Sequence, residues 1–217
     1  MSNFYAELVS ETELERQKFQ QIETLQRGFA GDISLNSYQQ FLIQAYHHVK
    51  HTTPLLMACG SRIPAEKEWL RNAIAEYIEE EVGHQEWILN DISATGLDAE
   101  QIRFAQPHPS TELMVAYAYD TINRKNPVAF FGMVLVLEGT SVAMATNAAE
   151  QIKNNLQLPD TAFSYLNSHG SLDIEHMGFY ESLMNKVVDP VDQQAIIHAA
   201  NMFYQLYGNI FRSIELD

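Results

Sequence analysis

The sequence predicts an all-α protein, on three observations. Apolar residues recur at helical spacing along almost all of the 217 residues, with no convincing run of strict alternation. Glycine and proline punctuate the chain where helices should end and begin. The longest apolar run, Val128 to Leu137, lies inside a longer helical pattern and suits the buried central helix of a bundle.

Taken in order, the first helix is expected from about Tyr5 to Arg27, closed by Gly28 and Gly31. Ser37 with Gln40 three residues on resembles a capping box. It would open a second helix that reaches past His51, with Pro54 bending its last turns. The third begins near Pro64 and ends before Gly96, and a shorter one covers Glu112 to about Asn123. The long central helix takes Pro127 to about Leu156. Asp160 to His169 and Asp173 to Val188 read as two helices parted by Gly170 and Ser171, and the last runs from about Pro190 to Ile214. No repeat, low-complexity segment or compositional seam divides the chain, so residues 1–217 read as one domain.

Charge narrows the function. Thirteen Lys and Arg face 28 Asp and Glu, a formal charge of -15. Such a field repels nucleic acid and anionic membrane surfaces, so neither is an expected partner. The polar, acidic N-terminus lacks the pattern of a signal peptide, and Val128 to Leu137 alone is too short to span a bilayer. A single cysteine, Cys59, excludes an internal disulfide and a thiolate metal cage. The expectation is an acidic cytoplasmic protein.

Three segments carry chemistry. In YIEEEVGHQEW, Glu81 and His84 are three apart, on neighbouring positions of one helix face shared with Ile74, Tyr77 and Ile88. Alone, that pattern is more often a solvated acidic face with one satisfied histidine. Glu138 ends the run VAFFGMVLVL, and its helical neighbours Phe131, Val134, Val142 and Ala145 are apolar or small. A carboxylate there must be paired, protonated or bound to a cation. In HGSLDIEH, the spacing of His169, Asp173 and His176 brings all three to one side, which Met177, Tyr180 and Leu183 continue toward the core.

Together these supply three carboxylates and three imidazoles with no thiolate. Calcium and magnesium prefer oxygen shells, and structural zinc prefers Cys and His. A mixed carboxylate–imidazole set suits iron, or manganese, and Glu81 is a natural bridge between two ions.

The order E-x-x-H, a lone Glu on a central helix, then H-x3-D-x2-H resembles the heme-oxygenase-like diiron oxidases, over roughly the second helix to the last. That superfamily shares a seven-helix fold with thiaminase II and pyrroloquinoline quinone synthase. The resemblance implies one iron(II) held by Glu81, His84, Glu138 and His169, and a second by Glu81, Asp173 and His176. It implies an enzyme that uses O2 to decarboxylate, cleave or hydroxylate a small organic substrate such as a fatty acid or amino acid. A homodimer is common for the fold. Two relatives fit less well. Cys59 lies away from where thiaminase II places its nucleophile, and no histidine precedes His47 to serve as a heme ligand in the first helix.

His47, His48 and His51 form a cluster expected to be partly exposed, with a role beside the ligands or toward a substrate carboxylate as the alternative. Glu79, Glu80 and Glu86 read as solvated; Phe130, Phe131 and Met133 as core; Tyr77 and Tyr180 as core tyrosines one turn from ligands. A ferritin-like iron protein would need an acid on the second helix, which has none, and would leave His169 unused. A His-Asp phosphohydrolase would need a His-Asp dipeptide, which is absent. A metal-free binding module of the thiaminase II fold is the remaining alternative. The Gly170–Ser171 break should loosen the segment carrying Asp173 and His176, making the second metal the weaker one.

Overall fold

The computed structural model describes residues 3–216, and for 170–175 the backbone alone. The expected first helix is three: α1 Phe4–Glu11, α2 Glu13–Gln20 and α3 Glu23–Ala30. At the first break the Thr12 hydroxyl donates back to the Leu8 carbonyl at 2.8 Å, competing for the helical acceptor. At the second, Ile22 turns extended.

Ser34, rather than Ser37, caps α4 (Leu35–Val49), its hydroxyl accepting from the Ser37 N–H at 3.1 Å. Ser37 is buried inside the helix, where its own hydroxyl donates to the Glu215 carbonyl at 2.6 Å. Pro54 does not bend this helix. It sits in the first turn of a new one, α5 (Thr52–Gly60), where a missing N–H costs little. The expected third helix divides into α6 (Glu68–Glu81) and α7 (His84–Ala94), preceded by a 3-10 turn at Ala65–Lys67. A short α8, Ala99–Arg103, follows under an Asp98 cap. Next come α9 (Pro109–Asp120), a π turn at Thr121–Lys125 and a 3-10 turn at Pro127–Phe130. The chain then runs through α10 (Phe131–Leu156), α11 (Ser164–Met184) and α12 (Pro190–Arg212).

The all-α class stands. The described residues form eleven α-helices of eight residues or more and one of five, more than the seven or so expected, because three expected helices are interrupted and the short α8 was not expected. In the opposite direction, Gly170 and Ser171 interrupt nothing: α11 passes through them as one helix.

α10 is the axis. It lies against α3, α11 and α12, and every residue from Phe131 to Val136 is buried, as an all-round apolar run requires. A Cβ at Gly132 would fall 2.6 Å from the Ala200 backbone nitrogen, so glycine sets the approach of α12. Two apolar clusters divide the interior. One joins Phe131 and Val134 to Tyr180, Ile196 and Phe203; the other joins the second half of α10, through Ala145 and Ile152, to Leu42, Ile88 and Phe163. Pro127–Leu156 is long and apolar enough to cross a membrane by length and composition, yet 56% of its most apolar stretch is buried inside the protein. Val142 departs from the expected inward stripe and is 40% exposed.

Candidate metal centre

Glu81 is the last residue of α6 and His84 the first of α7. They do not share one helix face. Val82 is extended and exposed, and Gly83 takes φ 97°, a left-handed conformation that glycine reaches without strain. Across this kink His84 Nδ1 lies 3.1 Å from Glu81 Oε2, both groups buried. The His84 ring stacks on Trp87, centroids 4.0 Å apart, which fixes its plane.

Glu138 lies two residues past the fully buried stretch of α10, its side chain 12% exposed. On α11, His169 and His176 are both buried and seven residues apart, two turns along one face. The side chain of Asp173, between them, lies outside the described residues.

One buried carboxylate ties these helices together. Asp91 on α7 accepts from the backbone N–H groups of Ser164 (3.0 Å) and Tyr165 (2.9 Å) and from the Ser164 hydroxyl, which caps the start of α11. Burial holds its carboxyl above the usual range, while those donors pull it down. Asp91 thereby sets α11, with His169 and His176, against the helix that begins at His84.

Two groups of ligand atoms result. Those of Glu81, His84 and His169 lie within 4.8 Å of one another, and so do those of Glu81, Glu138 and His176. Glu81 belongs to both. Glu138 thus groups with Glu81 and His176, whereas the family resemblance implies that it joins His84 and His169. Ligands of one ion, each ~2 Å from it, stand no more than ~4 Å apart, so small side-chain movements close either group around a metal. The donors are carboxylate and imidazole with no thiolate, which fits iron.

Glu80 was expected to be solvated. It is half exposed, but its Oε2 lies 2.9 Å from His176 Nε2, while His176 Nδ1 faces Glu138 Oε1 at 3.8 Å. A carboxylate on one ring nitrogen orients a histidine whose other nitrogen meets a metal. Nothing in the spacing distinguishes Glu80 from Glu79, because the contact forms between helices. Glu86 instead pairs with Arg103 through two contacts of 2.8 and 2.9 Å.

Residues 39–208 match a family described as iron-containing redox enzymes. The chain belongs to that family. No curated protein matches it in sequence. Among solved structures it is similar to a domain of unknown function with a heme oxygenase-like fold from Shewanella denitrificans, at 19% identity and TM-score 0.83, over 94% of this chain and 88% of that one. It is similar to a TenA homolog from Pseudomonas syringae at 12% identity and TM-score 0.82, over 96% and 91%. It is similar also to heme oxygenase-1 from Synechocystis in complex with heme, at 12% identity and TM-score 0.77, over 99% and 93%. At these identities the likeness establishes the heme oxygenase-like fold and nothing finer.

In this iron-containing redox enzyme three of the candidate ligands open onto a cavity of about 1350 Å³ of empty space, part of it open to solvent. Tyr77, Glu81, Glu138 and His169 line it, and so does His48. The remaining wall is mostly apolar, with Phe29, Phe41 and Met133 among it. His47 and His51 line a different pocket beside Pro107 and Glu112. Burial, then the neighbouring Glu138, raises the Tyr77 phenol above its usual value, so it stays neutral. Tyr180 is satisfied in the core, its hydroxyl donating to the Phe131 carbonyl at 2.8 Å. The buried Cys59 thiol donates to the Pro127 carbonyl at 3.2 Å, and burial pushes it up to about 12, away from a nucleophile's range.

Proposed function

We propose that this enzyme is a non-heme diiron oxidase or oxygenase, acting with O2 on a small organic substrate. One observation carries the reading: two largely buried carboxylate–imidazole groups share Glu81 at the wall of an apolar cavity. Glu81, His84 and His169 would hold one iron. Glu81, Glu138 and His176 would hold the other, with Asp173 the remaining candidate ligand. Bound iron(II) supplies the reaction with O2 that no protein side chain performs.

The chain's own residues do the rest. Glu81 can give an oxygen to each ion. Trp87 and the α6–α7 kink hold the His84 ring in place. Asp91 holds the start of α11, and Glu80 orients His176. The apolar cavity wall limits the water around the ligands and so strengthens the electrostatics between them.

Iron(II) titration without oxygen, followed by O2-uptake measurement with a panel of aliphatic alcohols, aldehydes, carboxylic acids and amino acids, tests the reading. About two irons per chain and substrate-stimulated O2 uptake are expected. O2 uptake tied to iron alone, with no organic substrate, would favour a ferritin-like ferroxidase. Iron binding unchanged by Glu81→Ala would end the diiron reading.

A further inference from the structure

His48 differs from its two neighbours in making no hydrogen bond through its ring among the described residues. His47 Nδ1 accepts from the Lys50 ammonium at 3.1 Å, and His51 Nδ1 meets the Tyr119 hydroxyl at 3.3 Å. His48 lines the large cavity and meets the Tyr207 ring edge-on at 5.6 Å. Its Nδ1 has no hydrogen-bond partner among the described residues. The same holds for two more groups on that cavity, the Tyr77 hydroxyl and the Ser141 hydroxyl. Buried polar atoms of folded proteins are nearly always paired, so three such groups from three helices around one space point to a ligand that pairs with them.

The lining also selects that ligand. No Lys or Arg is among the described lining residues, and the acids there are Glu81 and Glu138. A free carboxylate or a zwitterion held away from the metal ions would lose its water without meeting a protein cation. His48 supplies no charge either: burial, then His169, holds it down at about 3, so the ring is neutral and can donate from one nitrogen while accepting at the other. The space extends far along one helix. Lining positions on α10 run from Glu138 through Ser141, Ala145 and Ala148 to Ile152, a rise of about 20 Å at about 1.5 Å per residue.

We propose that the cavity takes an elongated aliphatic substrate with one uncharged hydrogen-bonding end, an alcohol or an aldehyde, and that His48 is the substrate-positioning residue that binds that end beside the metal ligands. The proposal rests on the diiron reading for where the reaction occurs, but not for binding. It narrows the substrate from any small organic molecule to a neutral amphiphile with one polar end.

Displacement of a fluorescent alkyl probe tests it, using 1-decanol, decanoate and leucine on the metal-free protein and on protein loaded with redox-inert zinc. Decanol should displace the probe at lower concentration than decanoate in both forms, and leucine should not displace it. His48→Phe should weaken decanol binding about 3- to 10-fold, the worth of one buried hydrogen bond, and leave decanoate unchanged. His48→Gln, which keeps a donor and an acceptor, should recover most of that loss. Decanoate binding more tightly than decanol to the zinc form would overturn the substrate class. Decanol affinity unchanged in both His48 variants would overturn the role of His48. Iron titration of the same preparations separates the two readings: an unmutated protein that binds decanol as described but no iron leaves this site standing and ends the diiron assignment.

Discussion

The α6–α7 junction and α11 each supply candidate ligands, and they do so by opposite means. Glu81 and His84 face each other across a broken helix, with Gly83 in a left-handed conformation between them. His169 and His176 stand two turns apart on a helix with no break at all. In both segments the spacing in sequence would place the ligands on one side of a continuous helix. Only α11 is built that way. The same proximity is reached at the junction through a turn, which leaves Glu81 at a helix end where its carboxylate reaches both ligand groups. A regular helix holds its side chains in fixed register; a kink lets one of them serve two neighbours.

The comparison is broken most decisively at Glu81. Glu81→Ala should take anaerobic iron binding from about two per chain to none, since both groups include it. His176→Ala should leave about one, held on the junction side. Colorimetric iron analysis after desalting reads both, and equal losses from the two variants would show that Glu81 is not shared.

Next in size is the link between the two regions. Asp91→Ala removes a buried acceptor and leaves two backbone donors and a hydroxyl without it, so unfolding free energy should fall by about 2–4 kcal/mol. Urea denaturation measures this, and a change below ~0.5 kcal/mol would mean that α11 is positioned without Asp91.

The two helices should also answer glycine substitutions with opposite signs. Gly83→Ala should destabilise by about 1–2 kcal/mol through its backbone conformation alone, because an added Cβ there meets no neighbour within 4 Å. The smallest effect is expected from Gly178→Ala, at an exposed site inside unbroken α11 that is likewise open around the Cβ. It should stabilise by about 0.5–1 kcal/mol. Thermal melts of the pair suffice, and the same sign for both would contradict the contrast between kink and helix.

Much of this protein was legible before any coordinates. Helical periodicity announced the all-α class, and the unbroken apolarity of Phe131 to Val136 announced the buried axis. The chemistry of Glu81, His84, Glu138, His169 and His176 could be read too, since carboxylates and imidazoles at helical spacing beside apolar residues are a local pattern. What misled was equally local. Gly170 and Ser171 look like a break but sit within α11, where packing against α10 and the Asp91 cap outweigh a propensity cost of ~1 kcal/mol. Gly83 looked like an ordinary residue of one helix and is the kink.

The sequence by itself determined the all-α class and the buried run of α10, because these depend on neighbours three or four positions away. Only the tertiary structure decided that Glu80 reaches His176, that Glu138 groups with His176, and that His48 rather than His47 or His51 meets the cavity. Each of these depends on where one helix lies against another. That geometry comes from the packing of side chains far apart in the chain, and no periodicity within a single segment encodes it.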